Sequence, residues 1–209
     1  MSKVVDILTR SYDLDTRLCE RSFINLLGDL HSPYLNAVKN KCIKLGISYV
    51  HPPQTTNPFG APFIVDVETY RGVCPVRFDP EDDIDCVFTQ GTSCVAQACY
   101  DILNSYHSIE GMNVVIVGRG HSVKGLSSLL LSDDATVTVC HSHTRNLSKH
   151  TKVADAIIYT APCWDNLPYT KDCIIIDVSG VIPKSPEVIS DVGRLTTSIT
   201  CNRIARRRN

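Results

Sequence analysis

The sequence predicts an α/β protein in which a Rossmann-like, parallel-sheet nucleotide-binding domain over 107–209 is preceded by a smaller, truncated α/β domain over 1–106. Three observations carry this reading. The uninterrupted β-branched run at 114–117 ends at Gly118, as suits a central parallel strand buried on both faces. After the glycines, 123–131 has apolar residues at helical spacing, and 135–140 is again a strand, which makes a strand, glycine turn, helix and strand in succession. Further apolar runs at 155–161 and 173–178 alternate with helical segments, as a parallel sheet requires.

The turn between the first strand and its helix suggests a ligand. Gly118 and Gly120 allow close backbone approach, and the first turn of a helix presents free N–H groups and a positive dipole end, which suit a phosphate. The next glycine is Gly125, so the spacing departs from Gly-x-Gly-x-x-Gly, and an ordinary strand-to-helix turn would look the same. The second strand adds information. An acid at its end would take the ribose hydroxyls of NAD, but the chain offers Cys140, His141, Ser142, His143 and Thr144. With Arg119 in the turn and Ser142 at the strand end, the expected cofactor is NADP, held by Gly118, Arg119, Gly120 and Ser142.

Composition sets the class. Of the 209 residues, 43% are hydrophobic and 21% charged, as in ordinary globular proteins. A formal net charge of −1 leaves no footprint for nucleic acid, and the four arginines within 203–208 read as a solvated tail. No apolar run is long enough to span a membrane, and the first residues lack the core of a secretory signal, so a cytoplasmic protein is expected. The ten cysteines show no Cys-x-x-Cys spacing, and Cys86, Cys94, Cys99, Cys140 and Cys173 fall in runs that read as strand or helix interior. They are expected to be reduced and buried, with no metal site.

In the first half, the apolar pattern from Leu18 to Leu30 fits either a helix running into a strand or one longer helix. A helix ending at Gly46 follows, with Lys39 and Lys41 in its later turns. Residues 63–67 form a short strand candidate, and the acidic stretch 79–85 reads as a solvated loop. A helix over 94–103 comes next, and the polar stretch 104–111, with its turn glycine, marks the expected domain boundary.

At 135–144 the chain reads Ala-Thr-Val-Thr-Val-Cys-His-Ser-His-Thr, and at 118–126 Gly-Arg-Gly-His-Ser-Val-Lys-Gly-Leu. These stretches resemble the bifunctional methylenetetrahydrofolate dehydrogenase and methenyltetrahydrofolate cyclohydrolase enzymes of one-carbon metabolism, whose second domain carries Gly-Arg-Ser-x-x-Val-Gly-x-Pro and Ala-Thr-Val-Thr-x-Cys-His-Ser-x-Thr. Leu27-Gly28-Asp29 followed by Ser32, Tyr34 and Lys39 resembles the family's Val-Gly-Asp strand end and its Ser-x-x-Tyr-x-x-x-Lys helix. The resemblance implies Lys39 as catalytic acid and base, Tyr34 stacking on the folate ring and Asp66 holding the pterin, the last from matching 63–67 to Lys-Asp-Val-Asp-Gly. Tyr34 and Lys39 stand five residues apart, turned roughly 140° from each other on a helix of 3.6-residue period. A one-residue slip before the helix keeps Lys39 and displaces Tyr34.

The family's Gln-Leu-Pro-Leu passage and its closing glycine loop have no counterpart, and Ser179 replaces a glycine expected near the cofactor. Two functions follow as expectations. One is a shortened NADP-dependent dehydrogenase and cyclohydrolase acting on a folate-type small molecule. The other is an inactive descendant serving as a structural or interaction subunit. Loss of the family's returning C-terminal helix would expose apolar surface, so a homodimer or a place in an assembly is expected.

Overall fold

The computed structural model describes residues 3–12, 23–51, 62–66, 79–162, 168–183, 185 and 187–207. They form two compact units, one of 1–8 with 95–193 and the other of 9–94 with 194–209. The sequence division at 106/107 therefore differs from the observed one. Helix α3 (Cys94–Tyr106) runs unbroken through the first residues of the expected linker, and the last stretch of chain belongs with the first half.

In the unit of 95–193, strands β4 (Asn113–Val117), β5 (Thr136–Cys140), β6 (Ala156–Tyr159), β7 (Ile174–Asp177) and β8 (Val188–Ile189) form one parallel sheet in the order β5-β4-β6-β7-β8. The order turns around at β4, the first strand of the unit, as in doubly wound folds. Helix α4 (His121–Ser132) connects β4 to β5, and the short α5 (Leu147–Thr151) lies between β5 and β6. Val115, Val117, Ile157, Tyr159 and Ile175 pack into its core, which accounts for the unbroken apolar runs. All four predicted strands are present, each within a residue or two of its expected bounds. The two-residue β8 was too short to read.

The other unit is built on a three-stranded parallel sheet of β1 (Phe23–Leu27), β2 (Ser48–Val50) and β3 (Phe63–Val65), in the order β2-β1-β3. The strand alternative for 18–30 holds from Phe23 onward, while Leu18 lies outside the described residues. Helix α2 (Pro33–Leu45) starts where the Ser32 side chain accepts the Leu35 N–H at 3.3 Å. It ends at Gly46 in the left-handed conformation, as anticipated. Leu35, Val38 and Cys42 are its buried residues.

Three expectations are corrected here. Helix α6 (Val192–Arg206) runs through the segment read as a tail, so the returning helix is present and the argument from its loss falls. Its Leu195, Ile199 and Ile204 are buried, but so are Thr196, Ser198, Thr200 and Asn202, and burial of both kinds of residue hides the amphipathic stripe. The acidic stretch is solvated only at its start, at Asp79 and Glu81, because Asp82, Asp83 and Asp85 are at most 5% exposed. Cys86 lies in a turn at φ 54°, rather than in a strand or helix.

Seven cysteines fall within the described residues, and all are free thiols. No group of His, Cys, Asp or Glu among the described residues could hold a metal, and no described helix is long and apolar enough to cross a membrane.

Candidate functional site

The two units carry separate sets of candidate residues. In the unit of 95–193, Val117 pairs with Cys140, and the Gly118 N–H donates to the Cys140 carbonyl at 2.8 Å, so 118–120 and 141–144 leave neighbouring strands at the same end. Gly118 is at φ 141°, and a Cβ there would stand 2.1 Å from Thr160 Oγ1 and 3.3 Å from the Ala161 Cβ. The position is therefore reserved for glycine by backbone and neighbours alike. Gly120 is the N-cap of α4, with no side chain capping the helix and open space where its Cβ would be. An uncapped helix start of this kind leaves N–H groups available to an anion.

The facing strand end is shaped by its own turn. The His141 N–H donates to Thr144 Oγ1 at 2.8 Å, and the Thr144 N–H returns to the His141 carbonyl at 2.8 Å. The His143 N–H donates to His141 Nδ1 at 3.2 Å, which fixes that ring's tautomer when neutral. Ser142 and Arg119 are exposed, and no carboxylate occurs in 118–121 or 141–145. On the far side, Asp177 accepts hydrogen bonds from Ser179 Oγ and from the Gly180 and Ile182 N–H groups. Gly180 carries the positive φ of that loop, 71°, so serine is tolerated at 179.

In the unit of 9–94 with 194–209, Ser32 fixes the start of α2, and Lys39 stands half-buried on that helix, one turn beyond Leu35. Tyr34 lies on a different face. Its hydroxyl donates to Asp85 Oδ2 at 3.0 Å, while Asp85 Oδ1 accepts the Cys94 N–H at 2.7 Å and so caps α3. Burial, followed by the charge of Asp85, pushes the Tyr34 hydroxyl well above its usual range. The same two causes raise the Cys94 thiol.

Asp66 follows β3 and is buried, with its N–H donating to the Leu27 carbonyl at 2.9 Å. Alongside β3 runs a second acidic stretch, joined by the Phe63–Asp83 bridge and by the Ile84 N–H on the Phe63 carbonyl at 3.2 Å. Asp83 gathers the Val87, Phe88 and Thr89 N–H groups at 2.7–3.0 Å.

Residues 93–193 match the family model for the NAD(P)-binding domain of tetrahydrofolate dehydrogenase/cyclohydrolase. The bifunctional protein FolD of Thermosipho melanesiensis is 45% identical over 107 residues, which span 48% of this chain and 39% of that protein. FolD of Pseudothermotoga lettingae is 31% identical over 216 residues, covering 90% of this chain and 76% of the relative. This chain belongs to the FolD family. Among solved structures, the FolD dehydrogenase/cyclohydrolase of Campylobacter jejuni aligns with a TM-score of 0.68 at 18% identity, covering 99% of this chain and 96% of that one. The Trypanosoma brucei FolD, complexed with NADP cofactor and inhibitor, aligns at 0.67 and 19%, covering 98% and 94%. At such identities the structures establish the FolD fold.

The acidic stretch also resembles the family motif that the sequence reading matched to 63–67. Asp82-Asp83-Ile84-Asp85-Cys86 reproduces the acid, β-branched, acid pattern of the family's Lys-Asp-Val-Asp-Gly, and Cys86 adopts the left-handed conformation where that motif has glycine. The spacing to Gly91 and α3 was the available signal, but the run of charges masked it. Residues 67–78 lie outside the described residues.

Proposed function

We propose that this chain binds NADP through 95–193 and a reduced folate through the other unit, and that it carries out slow methylenetetrahydrofolate dehydrogenase and cyclohydrolase chemistry. The open, uncapped start of α4 beside an acid-free strand end carries the cofactor reading. It fits a phosphate-bearing dinucleotide, with Gly118 and Gly120 giving close approach and Arg119 and Ser142 offering donors to a 2′-phosphate. When bound, NADP supplies the hydride acceptor of the dehydrogenase step.

On the folate side, Lys39 is the acid–base group, held at one register by the Ser32 cap. Asp83 and Asp85 fit the family's paired acids more closely than Asp66 does, because their spacing ends on a residue in the left-handed conformation. Asp66 remains a candidate at the end of β3. The Tyr34 hydroxyl is bonded to Asp85, and Tyr34 does not share the helix face of Lys39, which is the reason slow turnover is expected. The same bond favours a second reading, an inactive interaction subunit. A homodimer now rests on exposed apolar residues such as Leu131 and Val139. Sedimentation at micromolar concentration tests it, and a monomer would count against it.

The deciding experiment is turnover of methylenetetrahydrofolate with NADP, and of the methenyl form alone, for the native chain and Lys39→Ala. The variant should lose about 100-fold or more, the scale of positioned acid–base catalysis. It should keep its NADP affinity. Turnover indifferent to the change would remove Lys39 from the mechanism, and NADP binding without any turnover would favour the interaction subunit.

A further inference from the structure

The arginines of α6 do not behave as a solvated tail. Arg203 Nη1 donates to the Ile84 carbonyl at 3.1 Å and to the Thr92 carbonyl at 2.7 Å. Those carbonyls stand at the two ends of 84–92, the segment that holds Asp85 and Cys86 and begins next to Asp83. The Cys86 thiol is raised first by burial and is also influenced by Arg203, Asp83 and Asp85, so the guanidinium and both acids surround one turn.

One helical turn further on, Arg207 binds Asp82 Oδ1 through Nε at 3.2 Å and Nη2 at 2.9 Å, pairs with Glu81, and stands 3.7 Å from Asp79. Helix α6 thus grips the Asp83-Ile84-Asp85 turn from both flanks. Asp82 is held on one side, and the Ile84 and Thr92 carbonyls on the other.

We propose that Arg203 is a positioning residue, which sets Asp83 and Asp85 for a reduced folate without touching it; this rests on the folate reading above. A guanidinium donating to two carbonyls fixes their separation, and hydrogen bonds from a charged donor are stronger than those between neutral groups. Arg203 and Arg207 are both half-buried, but Arg203 bonds the Ile84 and Thr92 carbonyls on either side of Asp85, whereas Arg207 bonds Asp82 and the exposed Glu81, ahead of both acids, so Arg203 dominates the clamp. On this reading the acids are the groups that hold the pterin, which makes their placement decisive.

The test compares Arg203→Met, which keeps the apolar stem, with Arg207→Met and the native chain. Tetrahydrofolate and NADP affinities are measured by calorimetry, and the amides of 87–89 by hydrogen exchange. Arg203→Met should weaken tetrahydrofolate binding by roughly tenfold or more, the worth of a charged hydrogen bond. It should leave NADP affinity unchanged, speed exchange at 87–89, and be partly rescued by guanidinium ion. Arg207→Met should have a smaller effect. Unchanged exchange and unchanged tetrahydrofolate affinity in Arg203→Met would overturn the positioning role, as would a lowered melting temperature with both readouts intact. A native chain that fails to bind tetrahydrofolate would instead overturn the folate reading, and the clamp's ligand with it.

Discussion

The candidate site in 95–193 is made from backbone: a glycine turn, a helix start and the end of the neighbouring strand, with Val117 paired to Cys140. The candidate site in the unit of 9–94 with 194–209 is made from groups that distant segments bring together, Tyr34 to Asp85 across 51 positions and Arg203 to Thr92 across 111. A backbone site is specified by a short contiguous motif, and such motifs persist as recognisable strings. A side-chain site tolerates exchange of its members as long as geometry is rebuilt, so its string erodes first. The contrast makes different substitutions damaging in the two units.

The largest effect falls on the backbone site. Gly118→Ala forces a Cβ onto Thr160 Oγ1, whose own bond to the Val117 carbonyl, at 3.2 Å, would have to break, and holds alanine at φ 141°. About 3 kcal/mol of stability should be lost, with NADP affinity, as read by denaturant titration and calorimetry. Full binding in a stable variant would show that the turn is not the cofactor's.

Asp83→Ala should cost about 2–3 kcal/mol, since three backbone N–H groups and the Thr89 hydroxyl lose their acceptor. Exchange at 87–89 should quicken while NADP affinity stays unchanged. An equal loss of NADP affinity would erase the separation between the two units.

Arg119→Ala should weaken NADP by about 1.5–3 kcal/mol and leave NAD unaffected. Equal losses for both cofactors would remove the 2′-phosphate assignment.

Alkaline pH should act on the buried thiols and Tyr34. Burial pushes Cys99 up to about 12 from 9.0, and Tyr34 is raised above 10.0. These groups stay protonated in the folded chain after they ionise in the unfolded one. The Cys99 contribution is therefore fully present below pH 9.0 and that of Tyr34 below pH 10.0, and each is lost as pH rises beyond that value. The loss should be about 1 kcal/mol per fully shifted group over the first pH unit above its ordinary pKa, and about 1.4 kcal/mol per unit beyond that. Cys99→Ala should flatten the stability curve above pH 9.0.

The smallest change is Tyr34→Phe, at about 1 kcal/mol for one hydrogen bond. It releases Asp85 from Tyr34, and tetrahydrofolate affinity should hold or rise. A fall would mean that the Tyr34 hydroxyl supports the substrate.

The legible part of the molecule follows the same division. The strands of the five-stranded sheet were readable because both of their faces are buried, which makes the sequence locally redundant. The helix carrying Lys39 was readable from its end, at Gly46. The acids 82–85 were not, because a buried carboxylate and a solvated one look alike until their partners are known, and Asp82 finds its partner in Arg207, 125 positions away. Helix α6 escaped notice because its buried residues include threonines and serines, whose burial composition does not announce. The bond from Tyr34 to Asp85 was not legible, because the helix period gave the direction of Tyr34 while Asp85, which receives it, had been assigned to solvent.

The division of the chain also fixes the order in which its parts can be finished. Because 9–94 is completed only by 194–209, synthesis delivers every residue of the 95–193 sheet before the last helix of the other unit emerges. The nucleotide unit can close through neighbouring strands, whereas the acid turn must wait for a contact that spans more than half the chain and carries the corresponding loop-closure entropy. A nascent chain halted at residue 193 would thus hold every strand of the sheet, while Asp82 still lacked Arg207 and the Ile84 and Thr92 carbonyls still lacked Arg203. In refolding, protection of the 87–89 amides should be the last to appear.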